Sequence, residues 1–107
     1  MPFVKVIYSN QPSIEKALND YVAALKKRPE IKSVYLCGSR AKGKHCPYSD
    51  MDLLILLAAG DQRRPHERIP DYLPDRFPVS LDLFIYTEDE LTRSRFAQQL
   101  LADALLL

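Results

Sequence analysis

Residues 51–58 read Met-Asp-Leu-Leu-Ile-Leu-Leu-Ala, a run with one charged side chain. A strand exposed on one face alternates polar and apolar residues. An unbroken apolar run of this length suits a strand buried on both faces, with layers above and below its sheet. The neighbouring sequence offers those layers. Ile14, Ala17, Leu18, Tyr21, Val22 and Leu25 recur at helical spacing, with Glu15, Lys16, Asp20 and Lys26 on the other side. Asn10 or Ser13 is placed to cap this helix, Pro12 fits its first turn and Pro29 closes it.

Further strands are predicted at residues 3–8, Ile31–Cys37 and Val79–Tyr86. Gly38-Ser39 breaks the second of these, and residues 40–44 open a short helix. Gly60–Pro78 holds four of the eight prolines and leaves room for a short helix around residues 66–73. Thr87 with Glu90 is a capping-box pattern, from which a helix is predicted to run toward the end through Leu91, Phe96, Leu100 and Leu101. The order β-α-β-(α)-β-loop-β-α predicts an α/β or α+β fold, a mixed β-sheet with helices packed against it.

Composition bounds the function. A chain of 107 residues fits one domain, here residues 1–107. With 47% hydrophobic and 27% charged residues it is not of the disordered class. A net charge of +1 speaks against strong nucleic-acid binding by electrostatics alone. The longest apolar run, Leu53 to Ala59, is too short to cross a bilayer, and the first residues lack the features of a signal peptide. Cys37 and Cys46 form neither a metal-type pair nor a disulfide framework, so the expected setting is the cytoplasm, with reduced thiols.

Chemistry concentrates between Leu36 and Leu57. Glycine at 38 lets backbone approach a ligand, and a helix starting there offers free N–H groups to an anion such as phosphate. Ser39 adds a hydroxyl, and Arg40, Lys42 and Lys44 add positive charge. Asp50 and Asp52, two apart at the mouth of the apolar strand, point to one face with Cα atoms roughly 6.5 Å apart. Two such carboxylates repel unless a cation neutralises them, and hard oxygen ligands suit Mg²⁺. Asp82 interrupts another apolar run. If the two strands are neighbours, Asp50, Asp52 and Asp82 can hold two metals about 4 Å apart, which fits nucleotidyl transfer.

Gly-Ser-Arg-Ala-Lys-Gly at 38–43, Ser49-Asp50-Met51-Asp52-Leu53 and the later Asp82 resemble the signature of the minimal nucleotidyltransferases of the DNA polymerase β-like superfamily. The resemblance covers most of the chain and implies a polymerase β palm-like fold. It implies that Gly38 and Ser39 hold the nucleotide's β- and γ-phosphates, with Arg40, Lys42 and Ser49 in the nucleotide site. Asp50 and Asp52 become the paired metal ligands, and Asp82 the third carboxylate that positions and deprotonates the acceptor hydroxyl. Lys42 stands where many members have arginine, keeping the charge but not bidentate geometry. Two Mg²⁺ or Mn²⁺ ions and ATP or another NTP are the implied cofactors and donor. The implied reaction moves AMP to a hydroxyl acceptor, such as a tyrosine of a HEPN-domain partner in a toxin–antitoxin module. The alternative is a non-catalytic antitoxin-like subunit that covers its partner. Small size favours a partner or a homo-oligomer under either reading.

Other residues carry plainer expectations. His45 and His66 lack ligand spacing and read as surface residues; Cys37 reads as core and Cys46 as a loop thiol. Tyr48 reads as a cover for the core edge, Ser49 also as support for its turn, and Arg63, Arg64 and Arg68 as a solubilising run. Ser39 with His45 lacks a nucleophile elbow and an orienting acid, so a serine hydrolase is rejected. A glycosidase cleft is too large for this chain.

Overall fold

The computed structural model describes residues 12–43, 50–58 and 60–107. The strand expected at 3–8 and the readings for Asn10, Lys44, His45, Cys46, Tyr48 and Ser49 lie outside them. Helix α1 spans Pro12–Lys26, so Ser13 sits inside its first turn instead of capping it. Strand β1 is Ile31–Cys37, the short helix α2 Gly38–Ala41 and strand β2 Met51–Leu57. Helix α3 covers Pro65–Arg68 and continues into a single 3₁₀ turn, Ile69–Asp71. Strand β3 is Leu81–Thr87, followed by α4 (Glu88–Arg93), α5 (Arg95–Ala102) and β4 (Leu105–Leu106).

The four strands form one mixed sheet in the order β3-β2-β1-β4. β1 runs antiparallel to β2 and to β4, and β2 runs parallel to β3. Alternation divides β2 between two covers. Met51, Leu53, Ile55 and Leu57 join Val34, Leu36, Leu83 and Ile85 under α1, whose Ile14, Leu18, Tyr21, Val22 and Leu25 are buried. Leu54 and Leu56 face the other way, packing with Cys37, Phe84 and Tyr86 against Ala97, Leu100 and Leu101. Each fully buried Leu or Ile contributes about 1.5–3 kcal/mol relative to exposure. Asp52 is the exception in this strand and lies on the α5 face.

Three expectations are corrected. The terminal helix is two: Ser94 adopts extended backbone, and its hydroxyl accepts the Ala97 N–H at 3.1 Å to start α5 afresh. The apolar end then leaves helix altogether, because Leu105 and Leu106 pair with Leu36 and Tyr35, and the Leu107 N–H donates to the Val34 carbonyl at 2.9 Å. The third concerns Arg68, which belongs to no solvated run and is 0% exposed. Its guanidinium donates to the Ile85 carbonyl at 2.9 Å, to both Glu90 oxygens at 2.6 and 2.9 Å, and to the Asp61 carbonyl at 2.9 Å. The Thr87–Glu90 capping box is present as expected, so Glu90 serves the helix start and the buried cation together. Among the described residues no helix is long and apolar enough to cross a membrane.

Candidate active site

Strand register builds this site. Cys37, the last residue of β1, stands opposite Asp52 of β2, and Asp52 stands opposite Asp82 of β3. The turn after β1 therefore meets two carboxylates at one end of the sheet. Gly38 takes φ +70°, a left-handed conformation that disfavours any residue with a Cβ. A Cβ there would also lie 2.5 Å from Asp52 Oδ2. Glycine is thus required twice, by the turn and by the approach of the Asp52 carboxylate to the backbone. Ser39 is exposed beside it, and Cys37, at the N-cap of α2, makes no side-chain capping bond.

Asp52 is partly buried, and Asp82 is exposed near the start of its strand instead of buried within it. Burial chiefly, then the charge of Asp82, a side-chain hydrogen bond with Asp82 and the charge of Asp50, push the Asp52 carboxyl up to about 6. Two carboxyl groups can hydrogen-bond only by sharing a proton, since an ionised pair has no donor. A divalent cation in place of that proton would answer both the burial and the repulsion. The hard oxygen donors suit Mg²⁺ or Mn²⁺, so the residues fit such an ion. Asp50, exposed one residue before β2, acts on Asp52 through its charge. Among the described residues no three His, Cys, Asp or Glu side chains already stand gathered as a metal cage.

The expected basic residues divide. Arg40, in α2, is 3% exposed; burial lowers its pKa, and the nearby Asp50 charge opposes that shift. Lys42 is exposed and pairs with Asp103, just past α5, at 3.5 Å. Gly38 and Lys42, with Gln99, Leu100 and Asp103, line a small pocket of about 130 Å³. Sequence reading missed the α5 side of this pocket. Its signal was a lone aspartate between Ala102 and Ala104 in an otherwise apolar stretch. Cys37 is core as expected, its thiol pushed up to about 11 by burial first, and His66 is exposed.

Residues 17–105 match the sequence pattern of the nucleotidyltransferase domain family. Among solved structures, one from Sulfolobus solfataricus, provisionally assigned as a nucleotidyltransferase, matches with a TM-score of 0.66 and 22% identity, covering 99% of this chain and 89% of that one. At that identity the likeness is one of fold. No curated protein matches the chain.

Proposed function

The chain belongs to the nucleotidyltransferase domain family, and on that premise we propose that residues 1–107 act in the cytoplasm as one minimal domain moving AMP from ATP to a hydroxyl acceptor. The observation that carries this reading is the register that sets Gly38, Asp52 and Asp82 at one end of the sheet. The Gly38–Ser39 turn receives the β- and γ-phosphates, with Arg40, Lys42 and Ser49 completing the nucleotide site. Asp50, Asp52 and Asp82 would hold Mg²⁺ or Mn²⁺, which when bound neutralises the triphosphate and favours the attacking alkoxide. Asp82, on the outer strand, orients the acceptor hydroxyl and takes its proton. The acceptor oxygen bonds to the α-phosphorus, the bond to the β-phosphate's bridging oxygen breaks, and pyrophosphate leaves. Most of this catalysis is positioning and charge neutralisation, which a small scaffold can supply. A HEPN-domain protein, through one of its tyrosines, is the first acceptor to try; a second copy of the chain is the other candidate partner.

A second reading, a binding subunit without turnover, draws on the small size of the chain, which leaves few residues beyond the site with which to choose an acceptor. Transfer of label from α-phosphate-labelled ATP with Mg²⁺, beside an Asp50→Asn/Asp52→Asn control, decides between them. Label that reaches an acceptor and disappears in the control supports the enzyme. Absence of transfer, with partner association that survives the double substitution, supports the binding subunit.

A further inference from the structure

Asp103 stands where its own helix disfavours it. It closes α5 at the C-cap, and the last turn before it holds no basic residue. The free carbonyls of a helix C-terminus carry partial negative charge, which opposes a carboxylate there. Among the described residues the one partner of its side chain is Lys42, 3.5 Å away, with the two side chains 67% and 54% exposed. A pair so exposed adds little to stability, and it is longer than the about 2.7–2.9 Å of a charged hydrogen bond. Strand pairing nevertheless fixes its place. Leu105 of β4 stands opposite Leu36 of β1 in an antiparallel pair. Two residues back from the one and two on from the other, Asp103 comes level with Gly38. Both line the pocket of about 130 Å³ that Lys42, Gln99 and Leu100 complete.

We propose that Asp103 is a positioning residue for the donor: it holds Lys42 beside Gly38 while nucleotide is absent and yields it to a phosphate when nucleotide binds. The proposal rests on the nucleotidyl-transfer reading, in which Gly38 and Lys42 serve the donor's phosphates. Lys42 carries three N–H donors on a flexible four-carbon stem. The long contact with Asp103 leaves those donors open to a phosphate, an acceptor of higher charge. Asp103 itself stays at the end of α5 and repels the phosphates that Lys42 attracts. Holding an exposed side chain in place is worth only a fraction of an already weak pair. The repulsion acts on a group of several charges, so it decides the sign. Asp103 therefore lowers donor affinity, and the same repulsion favours departure of pyrophosphate, after which Lys42 returns to its resting partner.

The test is titration calorimetry of the full chain with ATP and Mg²⁺ at low salt. Asp103→Asn, which keeps the shape and removes the charge, is expected to tighten ATP binding about three- to tenfold. The gain should shrink in high salt, and Asp103→Glu should restore the wild-type affinity. In a Lys42→Met background the same substitution should gain less, because no cation remains to be released. Urea melts of Asp103→Asn should show no loss of stability. Unchanged or weaker ATP binding in Asp103→Asn overturns the proposal. So does an equal gain with and without Lys42, since Asp103 would then merely repel anions. A loss of stability in Asp103→Asn that carries ATP binding down with it also overturns it, by making the residue a brace for α5. Label transfer by a wild type whose ATP affinity Asp103→Asn leaves unchanged keeps the nucleotidyl-transfer reading and removes only the role of Asp103. A Lys42-dependent gain without any label transfer supports the ion-pair exchange and removes that reading instead.

Discussion

The parallel strands β2 and β3 end in carboxylates at both extremities, and the two ends are treated oppositely. Beyond the C-terminal ends, Asp61 and Glu90 surround the buried Arg68. Hydrogen bonds from Arg63 chiefly hold Asp61 well below the usual carboxylate range, and those from Arg68 chiefly lower Glu90. At the N-terminal ends, Asp52 faces Asp82 with Asp50 close by, and burial and like charge push it up to about 6. One cluster is solved by the fold itself. The other burdens the fold, as a partly buried carboxylate beside like charges does.

This contrast can be broken most forcefully at Arg68. Arg68→Met removes the buried cation and strands Glu90, the Ile85 carbonyl and the Asp61 carbonyl, and is expected to lower unfolding stability by about 3–5 kcal/mol in urea melts. A loss below about 1 kcal/mol would mean the cluster is not the internal brace described here. Gly38→Ala tests the opposite end. Left-handed backbone and the collision with Asp52 Oδ2 should together destabilise by about 2 kcal/mol. Adding Asp52→Ala should recover part of that loss, because the collision vanishes while the backbone strain stays.

The smallest effect separates the ends by pH. Asp52 has a raised pKa, so its favourable contribution is present below its ordinary value of 3.8 and is lost as pH rises through about 6. Without divalent metal, that loss is expected to be about 1–2 kcal/mol after solvent screening, and Asp52→Asn should flatten it. Asp61 and Glu90 are lowered, so their contributions are present above the ordinary values of 3.8 and 4.5 and are lost as pH falls through the depressed ones. Thermal melts of metal-free protein from pH 3 to 8 would show both slopes. A wild-type curve matching that of Asp52→Asn between pH 4 and 6 would remove the contrast.

What the sequence disclosed follows the physics of each element. The α1 face was legible because Ile14, Leu18, Tyr21, Val22 and Leu25 repeat at helical period and are buried together. β1 and β2 were legible because Cys37-Gly38 and Asp50-Met51 are sharp local boundaries. The break at Ser94 was missed because Leu91, Phe96, Leu100 and Leu101 keep an apolar rhythm across it, and only the Ser94 cap interrupts. β4 was missed because a two-residue strand has no period; its partners on β1 define it. Arg68 looked solvated among Arg63 and Arg64, since no local pattern shows that Ile85 and Glu90 would surround it. At the site, the residue types of Gly38, Asp52 and Asp82 were readable. Their alignment across three strands is a property of register, which no single segment encodes.

The pairing of β1 with β4 also sets a timetable. β1 gains its β2 neighbour from a segment some twenty residues downstream, but its other edge is covered by residues roughly seventy positions later. During synthesis at about 5–20 residues per second, that edge stays uncovered for at least several seconds after β1 has emerged. Asp82 follows β1 by about forty-five residues and precedes Leu105 by only about twenty, so the Asp52–Asp82 end of the sheet and the β4 cover of β1 are completed late and close together. For this chain most of that interval passes before Asp82 is made, and its hazard is a stray strand adding to β1.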